Sequence, residues 1–297
     1  MDVKGRIDRV RFSELVTATR AHPAFSEARL RFAREVSAAR LHSRFHSILT
    51  ADTGAFALII AVTGLNRLDK VYGAALTTVV QALTRSGFAS PTWVRALIDQ
   101  MVDRGLMAVQ THPDDKRRKR LLLTEPLLAA ERDWFEAVLN SVALVFSLPE
   151  TPHAFAHRND VLERYLTSVM LRSLVDNFTL LEGMPEIEAF MNRRHGYLLM
   201  LHLACSAGPI VEVHRTTMAQ DFGVSSAHIA IMLSDAEAAG WLKRDLPSNR
   251  IVLREPFAEQ LEVWIAREIV IVGMWVEAKY GLGSADTLSE RTTSTKL

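Results

Sequence analysis

The stretch Ala89–Glu125, ASPTWVRALIDQMVDRGLMAVQTHPDDKRRKRLLLTE, sets the reading of the whole chain. Ser90 is an N-cap, and Pro91 takes the first helical position, where a missing N–H costs nothing. Val94, Leu97, Ile98, Met101 and Val102 recur at i, i+3, i+4, i+7 and i+8, which is one buried helical face. Thr92, Trp93, Arg95, Ala96, Asp99 and Gln100 form the opposite face, and Gly105 ends the helix. Leu106–Gln110 reads as a short apolar strand, and Pro113-Asp114-Asp115 supplies turn chemistry. Lys116-Arg117-Arg118-Lys119-Arg120 is a run of cations, Leu121–Leu123 returns the chain to a core, and Thr124-Glu125-Pro126 opens the next helix.

Helix, glycine, basic hairpin, helix is the layout of a winged helix-turn-helix, in which a helix enters a major groove and a hairpin tip reaches a phosphate backbone or minor groove. Immediately upstream, Leu76–Arg85 is the first helix of the pair and Ser86-Gly87-Phe88 the turn. Asp52-Thr53 caps an apolar helix, Gly54–Leu65. Ser26–Thr50 reads as one long helix with Leu30, Val36, Leu41, Phe45, Ile48 and Leu49 on one side. Its other side carries Arg29, Arg31, Arg34, Arg40 and Arg44, read as a solvated basic face in preference to a DNA-facing arm. Residues 1–24 form a short helix with Val10, Leu15 and Val16 inward. Downstream, Pro126–Phe146 is a helix leaving the hairpin, and Pro149-Glu150-Thr151-Pro152 a linker.

The second half repeats the first. Arg250–Phe257 (RIVLREPF) aligns with Arg120–Leu127 (RLLLTEPL) at an offset of 130. Further upstream the offset is 135: Gly240-Trp241 matches Gly105-Leu106, and Ser225 matches Ser90. Ile229, Met232, Leu233 and Ala236 fall where Val94, Leu97, Ile98 and Met101 fall. Such self-similarity is evidence about architecture. The second hairpin, Lys243–Asn249, is shorter and less basic. Val161–Leu181, Ile187–Ser206, Thr216–Phe222 and Phe257–Tyr280 complete the second set of helices, and the Ser/Thr-rich tail after Gly281 is expected to be disordered.

The formal net charge of +1 over 297 residues gives no overall basic signal, but its distribution is uneven. Residues 1–150 hold 21 Lys+Arg against 16 Asp+Glu, about +5, and the remainder 14 against 18, about −4. The lone cysteine, Cys205, forms no intrachain disulfide, so a reducing, cytoplasmic setting is the expectation. The longest apolar run, Ala55–Leu65, is well short of the roughly 20 residues of a membrane span.

Three elements resemble the MarR (multiple antibiotic resistance regulator) family of winged-helix repressors: Arg104-Gly105-Leu106 closing the recognition helix, Asp115-Lys116-Arg117 in the wing, and Leu123-Thr124 ending the returning strand. The resemblance is tight over about 35 residues and looser over the flanking helices. It implies a transcriptional regulator, a repressor, in which Asp115 braces the wing against Arg117. Members of that family pair through their terminal helices, and many respond to small, often aromatic ligands held between those helices and the DNA-binding lobe. The fold class expected is mainly α with small β-wings: two tandem winged helix-turn-helix domains forming an internal pseudo-dimer, with a homodimer of whole chains as the alternative. The expected boundaries are an N-terminal extension at 1–24, domain 1 at 25–148, a linker at 149–153, domain 2 at 154–281 and a tail at 282–297.

The partner expected is a double-stranded DNA operator. In domain 1, Ser90, Thr92, Trp93 and Arg95 would reach bases or phosphates, and Lys116, Arg117, Arg118, Lys119 and Arg120 phosphates or a minor groove. Trp93 could equally pack beneath the wing. Asp99 and Asp103 repel phosphate, so only the first helical turns approach DNA. In domain 2 the counterparts are Arg215, Ser225, Ser226, His228, Lys243, Arg244 and Arg250, a weaker set with no Lys or Arg on the helix itself. A surface charge run is more often simply solvated, and the position at a wing tip is what favours DNA. His42 and His46 have the i, i+4 spacing of a metal pair but lack a third ligand, and are read as surface or interface residues; His112 lies on the wing, and His195 and His202 read as core residues. No cofactor or metal is expected, no catalytic motif stands out, and an enzyme is not expected. The competing reading is a winged-helix adaptor that binds a protein, suggested by the uncharged second recognition helix.

Overall fold

A computed structural model describes residues 7–51, 53–85, 89–112, 115–245 and 249–281; for residues 112, 115–117 and 175 it describes the backbone alone. The turn at 86–88, the first hairpin tip at 113–114, the capping Asp52, the second hairpin tip at 246–248 and the tail at 282–297 lie outside the described residues, as does any side-chain pairing of Asp115 with Arg117. The described chain is mainly helical, with small antiparallel sheets.

Helix α1 (Arg9–Ala21) starts at Asp8, whose carboxylate accepts from the Val10 and Arg11 N–H groups, satisfying donors that a helix start leaves orphaned. Its buried side is Phe12, Val16 and Thr19; Val10, expected inward, is 69% exposed. Helix α2 (Phe25–His42) ends at Ser43, whose Oγ accepts from the Phe45 N–H. That local bond gives the backbone an alternative to helix, so the long helix expected over Ser26–Thr50 is instead α2 and a short α3 (His46–Leu49). The break also separates His42 from His46, which share no continuous helix. There follow α4 (Thr53–Leu68), α5 (Leu76–Arg85), α6 (Pro91–Asp103), the hairpin β1 (Met107–His112) and β2 (Asp115–Leu123), and α7 (Glu125–Val142).

The second half runs α8 (Pro152–His157), α9 (Val161–Met170), a π-helical turn (Leu171–Val175), α10 (Pro185–Met191), α11 (Gly196–Ala204), β3 (Ile210–Glu212), α12 (Arg215–Phe222), α13 (Ser226–Ala238), β4 (Leu242–Asp245), β5 (Arg250–Leu253) and α14 (Glu255–Tyr280). Three expectations change here. The helix expected to reach Leu181 stops after the π turn, where Asn177 takes a left-handed φ of 54°. The helix expected over Ile187–Ser206 breaks at His195, also left-handed at φ 60°, whose N–H donates to the Ala51 carbonyl of the first half. Helix α8 begins inside the expected linker, capped by Thr151, whose Oγ1 accepts from the Ala154 N–H.

Matching hydrogen bonds close the helix-to-hairpin junction in each half. At the end of α6, Gly105 N–H donates to Val102 O and Leu106 N–H to Met101 O; at the end of α13, Gly240 donates to Glu237 O and Trp241 to Ala236 O. Both are Schellman closures on a left-handed glycine, with φ of 69° and 79°. Thr124 N–H then donates to Leu106 O, as Arg254 does to Trp241 O. Ser90 caps α6 through the Trp93 N–H, and Ser225 caps α13 through the His228 N–H. The hairpins differ in their third strand: β3 pairs with β5, whereas the first hairpin has a single bridge between Ala75 and Arg120.

One continuous apolar core joins the halves. Helix α4 packs on α9, α11 on α2, and α14 on α1, α2 and α7. Close approach is made possible by small residues: a Cβ on Gly64 would meet the Met170 side chain, and one on Gly273 would fall 2.7 Å from the Phe146 ring. Several ion pairs across the halves set a first-half arginine against a second-half carboxylate. Arg9 meets Glu182, Arg11 meets Glu277, Arg20 meets Glu259 and Glu262, and Arg67 lies near Asp160 and Glu163. The cationic first half and acidic second half thus serve in part to bind each other. Two arginines assigned to a solvated face are buried. Arg29 donates to the Ala204 and Ser206 carbonyls, capping the C-terminal end of α11. Arg40 forms a two-bond ion pair with the fully buried Glu131, at 2.6 and 3.2 Å.

Candidate nucleic-acid interface and central cavity

The expected sorting of α6 holds except at Val102, which is half-buried. Val94, Leu97, Ile98 and Met101 are buried, while Thr92, Trp93, Arg95, Ala96, Asp99 and Gln100 are exposed. Trp93 is 37% exposed. Because Ser90 and Pro91 fix the first turn, Thr92, Trp93 and Arg95 project from the N-terminal end of the helix, where partial positive charge from unpaired N–H groups favours an anion.

The hairpin strand β2 pairs with β1 and packs on α4 and α5, and its cations divide into two kinds. Lys119 is exposed, as is Arg118, whose guanidinium lies 4.5 Å from the centroid of the Tyr72 ring. Arg120 is turned inward: its Nε donates to Asn66 Oδ1 at 2.6 Å. The same oxygen accepts from the Ala74 N–H at 2.9 Å, and Asn66 Nδ2 donates to the Leu121 carbonyl at 2.8 Å. Asn66 therefore fastens the root of the hairpin to the end of α4. Gly73 lies under this clamp with φ 58°, and a Cβ there would sit 2.4 Å from Arg120 Nε. Arg118 and Arg120 fall on one face of the strand, so alternation does not tell them apart, and the role of Asn66 carries no local signal.

The matching surface of the second half is occupied by its own chain. His228 Nε2 lies 3.0 Å from the Arg194 carbonyl, and Arg193 pairs with Asp235 on the outward face of α13. Arg244 pairs with Glu237 at 2.6 Å, and its backbone N–H donates to the same carboxylate, which holds Glu237 below the usual carboxylate range. Arg250 lies 3.5 Å from Glu212. Ser226, Arg215 and Lys243 are exposed, and Ser225 is spent as a cap. Of the cations expected there, Arg244 and Arg250 are thus matched by neighbouring carboxylates.

Between the halves lies a cavity of about 560 Å³. Phe56, Trp134 and Tyr197 give it apolar walls, and Arg40, Arg172 and Glu268 bring charge to it. Arg172, Ser173 and Leu174 reach it from the π turn, a distortion often found where a helix serves a site. Arg172 is 3% exposed and donates to Ser168 Oγ at 3.0 Å; burial lowers its pKa. Burial likewise pushes the Glu268 carboxyl up to about 7, against the opposing effects of the Trp264 indole N–H, at 3.2 Å, and the Arg172 charge. Burial raises the phenols of Tyr165 and Tyr197 above the ordinary range. The site is thus a partly enclosed compartment in which the Glu268 carboxyl, the Arg40 and Arg172 guanidiniums and two phenols face apolar rings.

His195 is fully buried near this compartment. Thr50 Oγ1 donates to the His46 carbonyl at 2.7 Å, so at 3.2 Å it accepts from His195 Nδ1–H. That assigns the proton to Nδ1 and leaves the Nε2 lone pair without a partner among the described residues. Burial, with the charge of Arg194, brings its pKa down to about 4. His202, the other histidine read as core, has Nε2 3.1 Å from the Glu212 carbonyl.

Among the described residues, no helix is long and apolar enough to cross a membrane. No protein-family model, no curated protein and no solved structure matches this chain.

Proposed function

We propose that the chain is a sequence-specific, double-stranded DNA-binding transcriptional regulator, built from two winged-helix repeats in the manner of MarR-like repressors. The observation that carries the reading is the first repeat's combination of an exposed helix start bearing Thr92, Trp93 and Arg95 with a hairpin strand bearing exposed Arg118 and Lys119. A guanidinium at Arg95 can bond a guanine edge through two hydrogen bonds, and the strand cations neutralise phosphates. The second repeat makes phosphate contacts at most, since His228, Asp235, Arg244 and Arg250 already bond within the chain. Each chain then reads one half-site strongly, and the operator is an imperfect palindrome. The internal packing of α14 against α1, α2 and α7 supports pairing of the repeats within one molecule.

The central cavity supports a small-molecule effector. Its walls come from both repeats, so a ligand there would bias their relative spacing and with it DNA affinity. The experiment is selection of genomic fragments by the purified chain at two salt concentrations, followed by sequencing. A regulator enriches one motif, and its affinity falls steeply as salt rises. Weak binding with no enriched motif would sink the reading in favour of a protein-binding adaptor.

A further inference from the structure

The junction of the two repeats carries a side-chain group that neither DNA binding nor the cavity uses. Glu136 lies on α7; His153 and His157 lie one turn apart on α8. That spacing places both imidazoles on one helical face, with ring centroids 4.4 Å apart. Glu136 Oε2 is 2.9 Å from His153 Nδ1 and 3.6 Å from His157 Nδ1. One donor atom from each of the three residues lies within 4.8 Å of the other two. The presenting helix is held from behind: Phe155 is fully buried, its ring 5.0 Å from Tyr280 and 6.4 Å from Trp275. Arg158, the neighbouring cation, pairs with Glu150 at 2.9 Å.

We propose that Glu136, His153 and His157 form a site for a zinc-like divalent ion that clasps α8 to α7. A tetrahedral ion about 2.0–2.1 Å from its nitrogen ligands sets ligand atoms roughly 3.3 Å apart, and the two observed separations bracket that spacing. Two imidazoles and one carboxylate suit zinc and its transition-metal neighbours; magnesium and calcium take oxygen donors. The three protein ligands leave a fourth position, and with the His153 side chain 72% exposed it is open to water. Coordination through His157 Nδ1 replaces that atom's 3.1 Å contact with the His153 carbonyl. The ion links the last long helix of the first repeat to the first helix of the second, so binding favours the folded chain by mass action.

The test uses tag-free, chelator-stripped full-length chain, titrated with zinc chloride against a chromophoric competitor, with thermal unfolding followed in parallel. The wild type should take one ion at this site and unfold at higher temperature with zinc. His153→Ala and Glu136→Gln should each weaken that binding roughly tenfold or more and remove the thermal shift, with the circular dichroism of the zinc-free protein unchanged. A wild type that takes no zinc, or variants that hold it as tightly, would overturn the proposal. An equal thermal shift with magnesium chloride, lost in the same variants, would overturn the assignment to a zinc-like ion.

Discussion

At the scale of single residues, buried charge decides most. The Arg40–Glu131 pair sits in the core, with the Arg40 guanidinium 4.9 Å from the centroid of the Trp134 ring. Removing one partner strands the other's charge, so Glu131→Ala should cost about 3–5 kcal/mol, measured by denaturant unfolding. Replacing both with apolar residues of similar volume should cost much less; equal losses would show that packing, not charge, holds the site. Glu268 and His195 give the stability–pH curve opposing slopes. Unfolded, Glu268 ionises in the ordinary carboxylate range, whereas folded it ionises at about 7. Across that window the folded chain holds the extra proton, so stability falls as pH rises, and the loss is complete above about 7. At about 1.4 kcal/mol per pH unit, the loss is at most about 3 kcal/mol. His195 titrates at about 4, below its unfolded value, so its contribution is present above the ordinary histidine range and is lost as pH falls through about 4. Between about pH 4.5 and 6.5 the two slopes nearly cancel, so Glu268→Gln should unmask a rise in unfolding free energy with pH across that range. An unchanged slope in that variant would assign the pH dependence to other groups.

At the scale of elements, the basic hairpin separates anchoring from contact. Arg120→Ala removes the bond to Asn66 and should lower stability by about 1–3 kcal/mol, along with DNA binding. Arg118→Ala with Lys119→Ala removes the contact with Tyr72, should cost about 1 kcal/mol at most, and should reduce the salt slope of DNA binding by about two charges. If both changes act only through stability, the hairpin is a scaffold and not a contact surface. Glycine closures test the matched junctions: Gly105→Ala and Gly240→Ala place a side chain at positive φ and should each cost about 1 kcal/mol. These junctions were legible in the sequence because Ser90, Ser225, Gly105 and Gly240 act on their own helices. The breaks at Ser43 and His195 were not. Ser43 competes with the helix through a single side-chain bond, and His195 depends on a carbonyl far away in sequence, at Ala51. Apolar periodicity ran across both places and suggested continuous helices. The inward turn of Arg120 was concealed in the same way, because its partner lies 54 residues earlier.

At the scale of the whole molecule, the two halves share a core, and that sets how the chain unfolds. Helices α1, α2, α4, α7, α9, α11 and α14 bury one another across the halves, so the full chain should melt in one calorimetric transition. Residues 1–148 alone should expose the surfaces of α2, α4 and α7 and aggregate or unfold; two resolved transitions would mean independent units. The alternation of apolar faces made the number and order of most helices readable from sequence. The partners of Arg9, Arg11, Arg20 and Arg29 were not, because unequal charge between halves looks the same whether it faces DNA or the other half. The one-sided character of that contact has a consequence of its own. When two identical subunits pair about a two-fold axis, every contact occurs twice and each substitution is felt at both copies. Here Arg29 of the first half caps α11 of the second as a single contact within one chain. A joined pair is released from self-complementarity: each side of its seam can change alone, so one half can leave the outward face of α6 exposed while the other covers that of α13 with Arg193 and Arg194.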